Sequence, residues 1–345
     1  MTSKKLQKIL VVRNDKLGDF MLSFPAFRLL KNSLPDSTIV ALVPSYTKDM
    51  AEACEWIDEI IIDEWQNSGF FSNFKLSQDF RKFQFDAIIS LYSTTRVGVS
   101  ALLARIPYRL APATKLAQIF YNHRLVQRRS RSEKPEYAYN SDLIKYLCKD
   151  NDIPIQNSMD PPYLQFDLLL VEKTRNKFCN TYGISEDSFL IFIHAGSGGS
   201  ARNLSANQYA SLASKLTCQK PYTIVLSAGP GEYENAHQIA KQLINIPHIV
   251  YESRQGLKQF AQHIQFADLF IGGSTGPVHV AGALDRPTVA FYPRRQSATA
   301  LRWQTLNHED NRQAFSPPLD ADEEDMSKID IEKIAEEISR KFLSH

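Results

Sequence analysis

The sequence has little of what a disulfide framework or a zinc site needs. Its four cysteines, Cys54, Cys148, Cys179 and Cys218, lie far apart and form no CxxC pair, which fits a reducing compartment. Long apolar runs are missing too. No segment approaches the roughly 20 uninterrupted apolar residues of a membrane helix. The opening MTSKKLQKILVVRND has an apolar run too short for a secretory leader, so the expectation is a soluble, cytoplasmic protein. Charge of one sign is not in excess: 40 Lys and Arg stand against 38 Asp and Glu, a net charge of +2, and no global signal for nucleic acid exists. No short-period repeat or low-complexity tract is present. The chain has no GxxxxGK[ST], which excludes a P-loop NTPase at motif level, and no strand–GxGxxG–helix unit, which ranks a nicotinamide oxidoreductase last.

What is there is a pattern that occurs twice. At 345 residues the chain is too long for one average core, so two domains are expected. In the first half, apolar runs stand at KILVVR (8–13), TIVALV (38–43), EIIID (59–63) and DAIISL (86–91). In the second they are FLIFIH (189–194), YTIVLSA (222–228), HIVYES (248–253), LFIGG (269–273) and PTVAFYP (287–293). Helix-length amphipathic stretches separate most of them. One is FMLSFPAFRLLKNSL, with Phe20, Phe24, Phe27, Leu30 and Leu34 at helical spacing. Continuous apolar runs alternating with helices indicate an α/β fold with parallel strands buried on both faces. The segment 151–167, rich in Pro, Asn and Asp, reads as the connection. The expected domains are therefore 1–165 and 166–345, both Rossmann-like, with the final helix free to pack back on the first. Asp320 and Asp322 form a DxD, but they precede that helix in an acidic run, where carboxylates favour a helix N-terminus; this is the preferred reading over a metal site.

In doubly wound sheets ligands bind beyond the carboxyl ends of the strands. Asn14, Asp15, Lys16, Gly18 and Asp19 follow the first strand. Gly196, Ser197 and the residues up to Arg202 follow FLIFIH; Gly229, Pro230, Gly231 and Glu232 follow YTIVLSA; Ser274, Thr275, Gly276 and His279 follow LFIGG. Three of these four loops are glycine-rich, and all three belong to the second half. Glycine admits a ligand close to the backbone, and helix N-termini offer N–H groups to anions. A phosphate-bearing ligand on the second domain follows. Arg202 is read either as a diphosphate ligand or as a solvated surface residue. Glu232 is read either as a hydroxyl or base acceptor or as a helix-start carboxylate. His279 is more readily a packing residue than a catalyst, and His194 a residue that holds a loop.

Asp19 is the best catalytic candidate, a carboxylate placed to take a proton from an attacking hydroxyl. Local reading alone puts an N-cap role first for it, and Asp15 serves either role. The basic stretch RLVQRRSRSEK (124–134), with Arg124, Arg128 and Arg129, is balanced between a solvated loop and a surface for an anionic acceptor or lipid headgroups.

Taken together, these segments resemble glycosyltransferase family 9, the ADP-heptose:lipopolysaccharide heptosyltransferases. The resemblance is carried by ILVVRNDKLGDFMLSFPAFRLLKNSLPDSTIVALV, FIHAGSGGSARNLSANQYASLASKL, VLSAGPGEYENAHQIA and ADLFIGGSTGPVHVAGALDRPTVAFYP, and it spans nearly the whole chain. It implies a GT-B fold, two Rossmann-like domains with parallel sheets facing across a cleft. It implies inverting transfer of a sugar, heptose from ADP-heptose above all, to a lipopolysaccharide core or related lipid-linked saccharide, with no metal and no cofactor. Asp19 falls on the family's proposed base, and Arg202 on the basic residue that binds the donor diphosphate. Ser274, Thr275, Gly276 and His279 fall on the block at the donor phosphates, with Gly196, Ser197 and Gly229 in the glycine loops and Glu232 near the nucleoside. Asp15, Lys16, Arg124, Arg128 and Arg129 are assigned to the acceptor. The chain departs from the family at Ser274, where some members carry Asp, and at KPEYAYN (134–140), where the acceptor-side segment usually reads like HxxER. The implied partners are a nucleotide sugar, an anionic lipid-linked oligosaccharide and the cytoplasmic face of the inner membrane, with no nucleic acid. A nucleotide-sugar epimerase or hydrolase of the same fold, or a catalytically silent nucleotide-sugar or lipopolysaccharide binder, is the alternative.

Overall fold

The computed structural model describes residues 6–64, 71–114, 116–156, 160–196 and 202–344. The chain divides into two compact units, Met1–Met159 and Asp160–His345. In the first, six parallel strands run β1 (Lys8–Val12), β2 (Thr38–Val43), β3 (Glu59–Ile62), β4 (Ala87–Ser90), β5 (Tyr108–Pro112) and β6 (His123–Leu125), in the spatial order β3-β2-β1-β4-β5-β6. The second has β7 (Phe189–His194), β8 (Tyr222–Ala228), β9 (His248–Glu252), β10 (Leu269–Gly273), β11 (Thr288–Phe291) and β12 (Arg312–Phe315), in the order β12-β11-β10-β7-β8-β9.

Both sheets thus have one doubly wound order, with the first and fourth strands of each unit side by side. Ile9 pairs with Ala87 and Val12 with Ser90 in one sheet; Ile191 pairs with Leu269 and His194 with Gly272 in the other. At such a switch point the connections leave in opposite directions and open a crevice at the carboxyl edge. The central strands are apolar because helices cover both faces: Ile9 through Val12, Leu190 through Ile193 and Leu269 through Ile271 are all buried.

The single helix suggested by FMLSFPAFRLLKNSL is two, Leu17–Met21 and Phe24–Ser33. Pro25 sits in the first turn of the second, where its missing N–H costs nothing; within a continuous helix it would remove a hydrogen bond. Phe20, Phe24 and Phe27 still form one cluster, their rings 5.4 and 6.2 Å apart edge to face.

In the second unit a capping box starts the helix Ala206–Lys215. Gln208 N donates to Ser205 Oγ at 3.3 Å, and Ser205 N donates to Gln208 Oε1 at 3.0 Å. The last helix, Ile331–Phe342, packs in this unit beside Ala206–Lys215. Ile334, Ala335 and Ile338 join Leu212 and Ala213 in its core. Among the described residues no helix is long and apolar enough to cross a membrane.

Candidate active site

In the first unit the polar groups at the switch point gather around one cation. Arg13 directly follows β1, and the residue is about 1% exposed. A buried guanidinium needs carboxylates and a full set of acceptors to offset lost hydration. Here Nε donates to Asp15 Oδ1 at 2.8 Å. Nη1 donates to Glu136 Oε1 at 2.9 Å and to Asn140 Oδ1 at 3.1 Å. Nη2 donates to Asp19 Oδ1. Burial alone would lower the Arg13 pKa, but Asp15, Asp19 and Glu136 raise it, so it stays protonated.

Asp19 does not cap a helix. The helix Leu17–Met21 begins after Lys16, and Asp19 lies in its first turn with its carboxylate on Arg13. The structure thus brings both candidate bases together. Their side chains keep 19% (Asp15) and 15% (Asp19) exposure, against 1% for Glu136, so these two are the members a substrate can reach. Burial pushes the Asp15 carboxyl up to about 7; Arg13 opposes the rise, and Asp19 and Glu136 add to it. Burial also raises Asp19, again against Arg13 and with Glu136. Lys16 is exposed beside them, and Tyr46 donates its hydroxyl to the Asp15 carbonyl.

The three arginines of the basic stretch part company. Arg129 is internal: Nη1 donates to Glu136 Oε1 at 2.7 Å, and Nε and Nη2 donate to Gln127 Oε1 at 2.9 and 2.7 Å. Arg124 is exposed on β6. Arg128 is exposed and lines a groove of about 460 Å³ with Lys134, Tyr139, Lys145 and Lys149. A neighbouring network, which sequence reasoning did not find, joins Asn14 to buried Asp63 at 2.6 Å, and Asp63 to Arg96.

In the second unit the glycine loops close on a carboxylate. His194 ends β7, with Nε2 3.3 Å from Glu232 Oε2 and Nδ1 3.2 Å from Ser227 Oγ. Gly229 N donates to Glu232 Oε2 at 3.1 Å. Gly231 takes φ +84°, which lets the Gly-Pro-Gly turn bring Glu232 back over the strand ends. Gly196 leaves room for that carboxylate: a Cβ there would lie 2.1 Å from Glu232 Cδ. Asn203 likewise fills the space beside Gly273. It donates to the Ala195 carbonyl at 3.1 Å and accepts from the Tyr209 hydroxyl at 2.7 Å.

Beyond β10, Ser274 is half-buried and Thr275 heads the helix Gly276–Ala283, with Pro277 in its first turn. Thr275 is 6% exposed, and among the described residues its Oγ1 has no hydrogen-bond partner. A buried, unsatisfied hydroxyl beside a helix N-terminus is poised for an anion. His279 sits one turn on at 2% exposure; burial lowers its pKa to about 4, so the ring is neutral and contributes no cation. Arg202 is 70% exposed with Nε 3.8 Å from Glu324 Oε2, and Arg295 Nη1 is 3.0 Å from Glu324 Oε1. Two cations therefore converge on one acidic side chain of the 320–326 turn. Asp322 in that turn accepts from Glu324 N at 2.8 Å. Ser197 lies outside the described residues. Among the described residues no cluster of three His, Cys, Asp or Glu is placed to hold a metal.

Sequence reasoning missed Arg13, Glu136, Arg295 and Glu324. Arg13 did carry a signal: an arginine closing a continuous apolar strand is expected to be buried and paired.

Two doubly wound units, each with polar groups gathered at its switch point, make up a GT-B fold. A solved structure of Escherichia coli ADP-heptose lipopolysaccharide heptosyltransferase II superposes with a TM-score of 0.77 at 21% identity, covering 98% of this chain and 99% of that one. A glycosyl transferase family 9 structure from Veillonella parvula gives 0.80 at 18% identity, covering 99% of each chain. The signature of glycosyltransferase family 9 (heptosyltransferase) spans residues 73–328, and the chain belongs to that family. It is 45% identical to a Haemophilus influenzae protein named "Putative glycosyltransferase", over 97% of this chain and 96% of that one. It is 23% identical to lipopolysaccharide heptosyltransferase 2 of Salmonella typhimurium, over 83% of this chain and 82% of that protein.

Proposed function

We propose that the protein transfers heptose from ADP-heptose, with inversion and without a metal, to a hydroxyl of a lipid-linked lipopolysaccharide core saccharide at the cytoplasmic face of the inner membrane. The observation that carries this reading is Asp19, a partly exposed carboxylate held on Arg13 just beyond the carboxyl edge of β1. A carboxylate so placed can take the proton of an attacking hydroxyl, and burial raises its pKa above the ordinary carboxylate value. The names of the Salmonella and E. coli relatives support the sugar and the acceptor class.

In this reading the acceptor oxygen attacks the anomeric carbon on the face opposite ADP and forms the new C–O bond. The bond to the diphosphate breaks with its electron pair, and the hydroxyl proton passes to Asp19. Negative charge grows on the departing diphosphate. The Thr275 hydroxyl, the N-terminus of Gly276–Ala283 with Ser274 and Gly276, and Arg202 stabilise it, with Ser197 assigned to the same loop set. Glu232, held by His194 and Gly229 and sheltered by Gly196, receives the nucleoside side; neutral His279 supports the helix from within. On the acceptor side, Lys16, Arg124 and Arg128 meet an anionic saccharide, while Asp15 and Arg129 frame the base. Incubation of the purified protein with ADP-heptose and a heptose-deficient core acceptor tests this. Mass spectrometry should show the acceptor gaining one heptose with release of ADP. Release of ADP with the acceptor unchanged would point to hydrolysis and overturn the reading.

A further inference from the structure

We propose that Arg13 is the positioning residue of the catalytic base: one buried guanidinium fixes Asp19 at Oδ1, so that Oδ2 receives the acceptor proton. The inference rests on Asp19 being the base.

The geometry is that of a rigid hub. Arg13 closes the central strand, its own N–H donating to the Leu42 carbonyl at 3.2 Å, while Leu91 N donates to the Val12 carbonyl at 3.0 Å. Backbone freedom at this point is therefore small. The guanidinium is planar, and its donors leave in fixed directions. Its three nitrogens go to different residues: Nε to Asp15, Nη2 to Asp19, and Nη1 to Glu136 and Asn140. Asn140 is itself anchored, donating to the Leu22 carbonyl at 3.1 Å just beyond the helix that carries Asp19. Glu136 Oε1 also accepts from Arg129, so the basic segment and the base are built into one network.

The electrostatics explain why a cation belongs here. Asp19 is faced by Arg13 from β1, by Asp15 and Lys16 from the following turn, by Tyr46 from the turn Ser45–Thr47, and by Glu136 from the helix Glu136–Asp150, with Arg129 behind Glu136. Burial and Glu136 favour the protonated acid. A protonated Asp19 cannot accept a proton from the substrate. Arg13 opposes both and so limits the rise, and its fork sets which oxygen remains for the acceptor.

The test is the pH dependence of kcat/KM for transfer, measured for wild type, Arg13→Gln, Arg13→Lys and Asp19→Asn, with ADP affinity as the control. Arg13→Gln removes the charge, so its acid limb should move at least one pH unit higher. Its rate at pH 7 should fall tenfold or more and recover in part at pH 9. Arg13→Lys keeps the charge and loses the fork, so its limb should stay in place while kcat falls about tenfold with the donor KM unchanged. Should the glutamine variant fail to fold, the lysine variant alone decides, and a wild-type kcat there overturns the proposal. An unmoved limb in folded Arg13→Gln, with Asp19→Asn inactive, overturns the role of Arg13. An active Asp19→Asn overturns the base assignment instead.

Discussion

Nη1 of Arg13 lies 2.9 Å from Oε1 of Glu136, across 123 residues of sequence. Both residues are about 1% exposed; Arg13 is also held by Asp15 and Asp19, and Glu136 also accepts from Arg129. Loss of one charged hydrogen-bond partner from a buried network costs about 1.5–3 kcal/mol. Glu136→Ala should therefore lower the thermal stability of the first unit by about 2 kcal/mol or more. Calorimetry on the full chain measures this, and an unchanged transition would mean that the buried pair is not formed.

The raised carboxyls give stability a pH signature. Asp15 ordinarily titrates at 3.8 but is pushed to about 7. Between those values the native state holds a proton that the unfolded chain releases, so stability falls as pH rises through the window. Below about 4 the group contributes no difference. Asp15→Asn keeps an acceptor for Arg13 Nε and has no proton to lose. Its melting temperature relative to wild type should therefore rise by a few degrees between pH 5 and pH 8. A difference that stays flat with pH would contradict the raised pKa.

Much of this architecture was legible in the sequence, because buried parallel strands are written as continuous apolar runs. β1 to β4 and β7 to β11 all stand where such runs predicted them. The strands that were not read are β5, β6 and β12, whose YRLAP, HRL and RQAF mix polar residues or proline with apolar ones; β6 and β12 are sheet edges. The positions of the glycine loops were also legible, but what approaches Gly196 here is the Glu232 carboxylate, a contact within the chain that the sequence reading did not foresee. The hub at Arg13 was not, because its partners Glu136 and Asn140 are distant in sequence and only the fold brings them together. Arg295, which meets Arg202 on Glu324, was hidden for the same reason.

Gly196 yields a prediction of coupling. A Cβ at that position would lie 2.1 Å from Glu232 Cδ and within 2.2 Å of both carboxylate oxygens. Gly196→Ala should therefore displace Glu232 from His194 and Gly229 N–H. Residues that share one contact are non-additive. The fall in nucleotide affinity for Gly196→Ala should resemble that for Glu232→Ala, and the double variant should be little worse than either. Fully additive losses by titration calorimetry would separate the two positions.

Glu324 contacts both Arg202 and Arg295, so under the proposed function it competes with a diphosphate for these two cations. Exposed pairs of this kind contribute roughly 0–1 kcal/mol. Glu324→Gln should thus tighten ADP binding by at most about fivefold, the equivalent of that energy. Arg295→Ala should weaken binding and reduce its salt dependence. If Glu324→Gln weakened ADP instead, the carboxylate would be part of the donor site and not a competitor for it.

The most direct test of the account is Asp19→Asn, an isosteric change that keeps an acceptor for Arg13 and removes the base. The account predicts that heptosyl transfer falls roughly a hundred- to ten-thousand-fold, the usual contribution of a general base, while the ADP dissociation constant stays within about twofold, a small change on the scale where 1.4 kcal/mol is tenfold. Transfer at a near-normal rate, with ADP still bound, would contradict it.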